Sequence, residues 1–181
     1  MFKKLKEKYN KTSELNKFLV KGISLYFIWR VFRKYMLLWG QYEDYTDKFA
    51  DVYLNLSQFF LKITGFKTFV DFDLNKLWIA GAEKSIEVVY DCLGTNLFVV
   101  FTIFIIIYPG KIITKLWYIP AGVAVIFLLN AIRMSAMAYI ADVSPQNFEI
   151  FHHFIFQGVI YGVIFLMWFG FVRLSAFQKK S

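Results

Sequence analysis

Four apolar stretches, separated by polar segments of different character, set the plan of this chain. The first, 18–39, is just long enough to cross a bilayer at about 20 residues, but Lys21, Arg30, Arg33 and Lys34 interrupt it. A spanning helix is the expectation there, with an interfacial amphipathic helix and snorkelling cations as the alternative. The second, 92–108, is an almost unbroken Leu/Phe/Val/Ile run closed by Pro109-Gly110. The third, 116–140, opens on Trp117 and Tyr118, residue types that anchor helices at membrane interfaces. The fourth, 152–174, follows a short loop that carries Pro145, Asp142 and Glu149 and no Lys or Arg.

Residues 41–91 differ in kind. Nine acidic residues stand against five lysines there, a net of −4. Val52, Leu54, Leu56, Phe59, Phe60 and Ile63 recur at helical spacing, and Gly65 ends the pattern. Residues 68–74 then alternate apolar and polar, and 85–90 do so more loosely. This predicts a small strand pair or triplet lying on the membrane surface and leading into Cys92. The fold expected is an all-α integral membrane protein of about four transmembrane helices, with a small extracytoplasmic helix plus β-hairpin insertion.

Composition agrees. The chain is 58% hydrophobic, with 22 Phe and 11 Tyr, too apolar for an ordinary soluble domain of 181 residues. Its formal charge of +8 collects in a leader (1–17), in the Lys111–Lys115 turn and in a tail (175–181). Under the positive-inside rule, four spans with both termini cytoplasmic satisfy every loop. The cations sit where topology needs them, so no nucleic-acid partner is expected. One cysteine excludes an internal disulfide and a Cys-cluster metal site. The first stretch has no small-residue cleavage site, so a cleavable signal peptide is not expected.

That topology brings three polar groups to one depth. Cys92 heads a span entering from the outer side. Arg133 lies about two turns from the outer end of the next, and His152-His153 head the last. An arginine inside a span costs about 2.5–3.5 kcal/mol or more, so it belongs in a polar interior and marks function. Asn130, three residues earlier, shares its face and could hold the guanidinium. Gly94 permits close backbone approach beside Cys92, and Asn96 adds a polar group. His153, Gln157 and Tyr161 fall at i, i+4, i+8 as a polar stripe expected to face inward, which favours His153 over His152 as the chemical histidine. A thiolate attacks carbonyls, an imidazole moves its proton, and a guanidinium stabilises the resulting oxyanion. A metal-dependent hydrolase using His152, His153 and Asp142 or Glu149 is a weaker alternative. Adjacent histidines diverge by about 100° on a helix and cannot share an ion without unwinding.

Asp91-Cys92-Leu93-Gly94 at the head of a span, Asn130-x-x-Arg133 in the next and a histidine heading the last resemble the exosortase/archaeosortase family of membrane cysteine transpeptidases. The resemblance covers about residues 49–174. It implies a compact variant that processes exported proteins at a C-terminal sorting signal: a short motif, a membrane helix and a basic tail. It assigns Cys92 as nucleophile, Arg133 as oxyanion stabiliser and the histidine as general acid/base, with no cofactor and no metal. It also implies a bacterial inner-membrane location, with the site near the outer face. The sequence departs from the family in having Leu-Gly where Ser-Gly commonly follows the cysteine, and in having fewer spans than many members. A non-enzymatic scaffold of a secretion or exopolysaccharide assembly, binding partners through 41–91, is the competing expectation. Oligomeric state stays open.

Overall fold

The computed structural model describes residues 14–180 except 39, 40 and 83. Most of the expected basic leader, Trp39 at the end of the first stretch, Glu83 and Ser181 therefore lie outside the described residues. The protein is mostly helical with one small sheet. Helix α1 (Glu14–Leu38) is followed by α2 (Gln41–Ile63), then strands β1 (Thr68–Asp71), β2 (Lys76–Ile79) and β3 (Ile86–Glu87). A 3-10 turn (Tyr90–Leu93) leads into α3 (Thr95–Ile107), and α4 runs over Ile112–Val143. A second 3-10 turn (Pro145–Asn147), α5 (Phe148–Ile150), a π-turn (Phe151–Ile155) and α6 (Phe156–Lys180) complete the chain.

Two helical stretches, Ile112–Val143 and Pro145–Gln178, are long and apolar enough to cross a bilayer. Helix α3 is equally apolar but 13 residues long. Helix α1 has the length, 25 residues, but carries the cations noted above.

Helix α4 organises everything else. Its 32 residues extend about 48 Å at 1.5 Å per residue, against about 30 Å of hydrocarbon, so roughly a dozen residues stand beyond the core of a bilayer. A different core is built on each part of it. Around its first half pack Phe101 and Ile105 of α3, Ile126 of α4, and Ile160, Ile164 and Phe171 of α6, all buried. Gly122 lets α3 close in, since a Cβ there would overlap the Phe101 ring. Phe104 stacks on Trp168 with ring centroids 4.5 Å apart, and the Tyr118 hydroxyl donates to the Met167 carbonyl at 2.7 Å.

Around the second half of α4 pack Ala50, Tyr53, Leu54 and Leu61 of α2, Leu77 and Ile79 of β2, Ile86, Val88 and Leu93. Small residues of α4, Ala131, Ser135 and Ala138, allow α2 to approach closely. The buried hydroxyls here are satisfied: Ser57 donates to the Ala131 carbonyl (3.1 Å), and Ser135 lies 2.9 Å from that carbonyl and 3.2 Å from the Ser57 carbonyl.

The helix of the 41–91 insertion is longer than its apolar spacing indicated, and of the expected strand pair or triplet the triplet forms. Helix α2 starts at Gln41, eleven residues before the apolar spacing shows itself. The sheet is three-stranded and antiparallel in the order β1-β2-β3, with Val70 opposite Leu77 and Leu77 opposite Ile86. Strand β2 occupies a segment that lay between the two expected strands. It is the central strand, and Leu77 and Ile79 face the core.

Candidate functional site

Cys92 sits in the 3-10 turn between sheet and membrane helix, where its amide donates to the Val89 carbonyl at 2.8 Å. The turn ends at Gly94, whose φ of 69° is left-handed, a conformation that favours glycine. A Cβ at Gly94 would also overlap the side-chain amide of Asn130. From Gly94 the chain enters α3 directly: its carbonyl accepts from Leu97 (2.9 Å) and Phe98 (3.1 Å). Two demands, backbone conformation and space, therefore fix glycine two residues after the thiol.

Tyr53 holds the same turn from α2. Its hydroxyl, fully buried, donates to the Leu93 carbonyl at 2.9 Å. Burial raises this phenol far above its ordinary ionisation range, with the neighbouring Asn130 amide working in the opposite direction. It therefore remains a donor at any physiological pH. One tyrosine among eleven carries no mark of this role in the sequence. Only its position at helical spacing after Phe49 places it on the packed face of α2.

A cavity of about 270 Å³ opens beside the turn. Cys92, Arg133 and His152 all line it, as does Glu87 of β3, and Met134, Met137, Val88 and Phe148 supply apolar wall. Cys92 and Arg133 are half-buried. Three groups far apart in sequence therefore meet in one pocket.

His153 is placed differently. Its side chain is 55% exposed and its Nε2 lies 3.1 Å from a Glu149 carboxylate oxygen. His152 stacks on Phe148, with ring planes 6° apart, and its Nδ1 is 3.5 Å from His153 Nε2. Tyr161 is also largely exposed, 58%, so the His153–Gln157–Tyr161 stripe does not face the interior. The packed face is the apolar one, through Phe156, Ile160 and Ile164. Gln157 and Tyr161 share regular helix α6 with that apolar face, so they point away from it, while the π-turn at Phe151–Ile155 takes only the histidines out of regular phase.

Two other residues have neighbours the sequence did not indicate. Asn130 is 1% exposed, and its amide lies against the Tyr53 hydroxyl. It packs on Gly94 beside the Tyr53 hydroxyl instead of bonding the Arg133 guanidinium. Asn96 turns away from the cavity and accepts from Arg33 Nη1 of α1 at 3.0 Å. That bond gives one of the cations inside the first apolar stretch a partner, and ties α1 to the head of α3.

No three His, Cys, Asp or Glu side chains converge on a common point among the described residues. What the pocket offers is a sulfur nucleophile, an imidazole and a fixed positive charge between apolar walls, a set suited to attack on a carbonyl. Neither the curated proteins nor the solved structures contain a match to this chain. The sequence model of one family, described as Transmembrane exosortase (Exosortase_EpsH), matches residues 32–170. That interval contains α2, the sheet, the cysteine turn, α4 and the histidine pair, and it covers most of the chain; the protein belongs to the transmembrane exosortase family.

Proposed function

We propose that this protein is a membrane-embedded cysteine transpeptidase or peptidase that processes exported proteins at a C-terminal sorting signal. The observation that carries the reading is the single cavity lined by Cys92, Arg133 and His152. In this reading the Cys92 thiolate attacks the scissile carbonyl carbon and a C–S bond forms. The carbonyl oxygen becomes an oxyanion, which the Arg133 guanidinium stabilises. Collapse breaks the C–N bond, and the amine leaves with a proton from the His152 imidazolium. Water or a second amine then attacks the thioester while His152 takes its proton. The C–S bond breaks and the thiolate returns.

His152 takes the acid/base role because it shares the cavity with the thiol, while His153 orients it from the Glu149 side. Apolar walls at Met134, Met137 and Phe148 limit water around the developing charge and strengthen the interaction with Arg133. Four crossings, through α1, α3, α4 and the Pro145–Gln178 stretch, put both termini in the cytoplasm and the cavity near the outer face of a bacterial inner membrane. The lysine-bearing ends and the acidic insertion support that orientation.

The test is to trap the intermediate. Membranes holding the protein and an exported substrate that ends in a helix and a basic tail are quenched with acid. Intact mass of the purified protein then shows an acyl adduct on Cys92, released by hydroxylamine. Continued processing of that substrate by a Cys92→Ala protein would sink the proposal.

A further inference from the structure

Two cavities far from the cysteine turn share a wall at the Pro109 end of the helices. One, about 450 Å³, is lined by Lys17 and Lys21 of α1 with Tyr108 and Pro109 after α3. The other, about 290 Å³, is lined by Gly22, Tyr26, Val100, Ile103 and Trp168. Phe18, Phe104 and Ile107 line both, so the two form one trough between α1 and α3 with Trp168 of α6 at its side. From Tyr108 to Val100 it follows about 12 Å of helix.

Its two compartments differ chemically. The mouth presents two ammonium groups beside aromatic and proline surface. The inner compartment is lined by apolar and aromatic side chains. No Asp or Glu among the described residues lines either. The nearby Lys115 donates from Nζ to the Ile106 carbonyl at 2.7 Å, where it satisfies the end of α3. Gly22 lines the trough opposite Ile107: a Cβ there would make ordinary contact with Ile107 at 3.8 Å, and a larger side chain would extend into the trough.

We propose that this trough binds one anionic phospholipid, its phosphate-bearing headgroup at Lys17 and Lys21 and an acyl chain along Tyr26, Val100, Ile103 and Trp168. Charge complementarity at the mouth and an apolar channel directly beneath it match that amphiphile. A basic peptide tail would meet like charge at the mouth. The inference stands apart from the transpeptidase reading and survives its failure.

The experiment is native mass spectrometry of the full chain in detergent with equimolar phosphatidylglycerol and phosphatidylethanolamine. The expected result is one retained phosphatidylglycerol per chain, preferred about tenfold. Lys17→Gln with Lys21→Gln should reduce that preference to near unity, and Lys111→Gln, a control at the exposed turn, should leave it intact. Gly22→Leu should lower retention of both lipids. Equal retention of the two lipids by the natural protein, or an equal loss in Lys111→Gln, would overturn the proposal, because either means that surface charge alone attracts the lipid.

Discussion

Below Gly122 and above Asn130 the same helix, α4, sits in two different chemistries. Its first half is held by rings: Phe101, Phe104, Tyr118, Trp168 and Phe171 interlock, and few polar groups are involved. Its second half has rings too, with Tyr53 4.5 Å from Phe127 and Phe66 5.3 Å from Tyr139, but adds small residues and hydroxyls. Ser57, Ser135 and Tyr53 each bond a backbone carbonyl, and a glycine with left-handed φ carries the turn. Lipid tails are as apolar as leucine, so the membrane part gains little by burying apolar side chains and relies on packing. The other part carries the pocket with its thiol, guanidinium and imidazole, and directional bonds fix side-chain positions better than contact area alone.

The comparison breaks first at Cys92. Its replacement by Ala should lower processing about 10⁴-fold or more while the protein still reaches the membrane intact, read by product formation against protein level. Arg133→Ala should follow with a loss of about 100–1000-fold in turnover, largely unrelieved by more substrate, because the charge is needed at the oxyanion. Gly94→Ala should cost about 2–4 kcal/mol in the outer region, from the positive φ and the overlap with Asn130, and should alter the rate at which a maleimide labels Cys92. Gly122→Ala tests the other half. Overlap with Phe101 should lower thermal stability by about 1–3 kcal/mol in detergent without changing that labelling rate. If it changes labelling as much as Gly94→Ala does, the two cores are not separate. Tyr53→Phe is the mildest, about 1 kcal/mol, seen as faster Cys92 labelling at unchanged helix content, since it leaves the Leu93 carbonyl unpaired.

How much of this could be read in advance varied with the type of signal. Helix α3 stands in an almost unbroken apolar run and α4 in a long one interrupted by few polar residues, and such runs need no partner to be recognised. The first turns of α2 are polar, so its spacing emerged only at Val52. In β2, Leu77 and Ile79 flank Trp78 where an alternating strand would show a polar residue, and the pattern was lost. Cys92 and Arg133 were visible as polar exceptions in an apolar sequence. Tyr53 was not an exception to anything. It needed α2, the cysteine turn and α4 to be placed together before its hydroxyl had a partner. The histidines depended on helix phase, and they stand in a π-turn, where a regular helical count does not hold.

In the proposed four-crossing arrangement α4 outreaches the hydrocarbon layer and carries both cores on one rod, and so couples the candidate pocket to lipid thickness. A thicker bilayer would draw the Arg133 level toward the tails, and a thinner one would lift it toward water, unless the helix tilts to compensate. Chain length of the surrounding lipids thereby becomes a control on how wet the sulfur is.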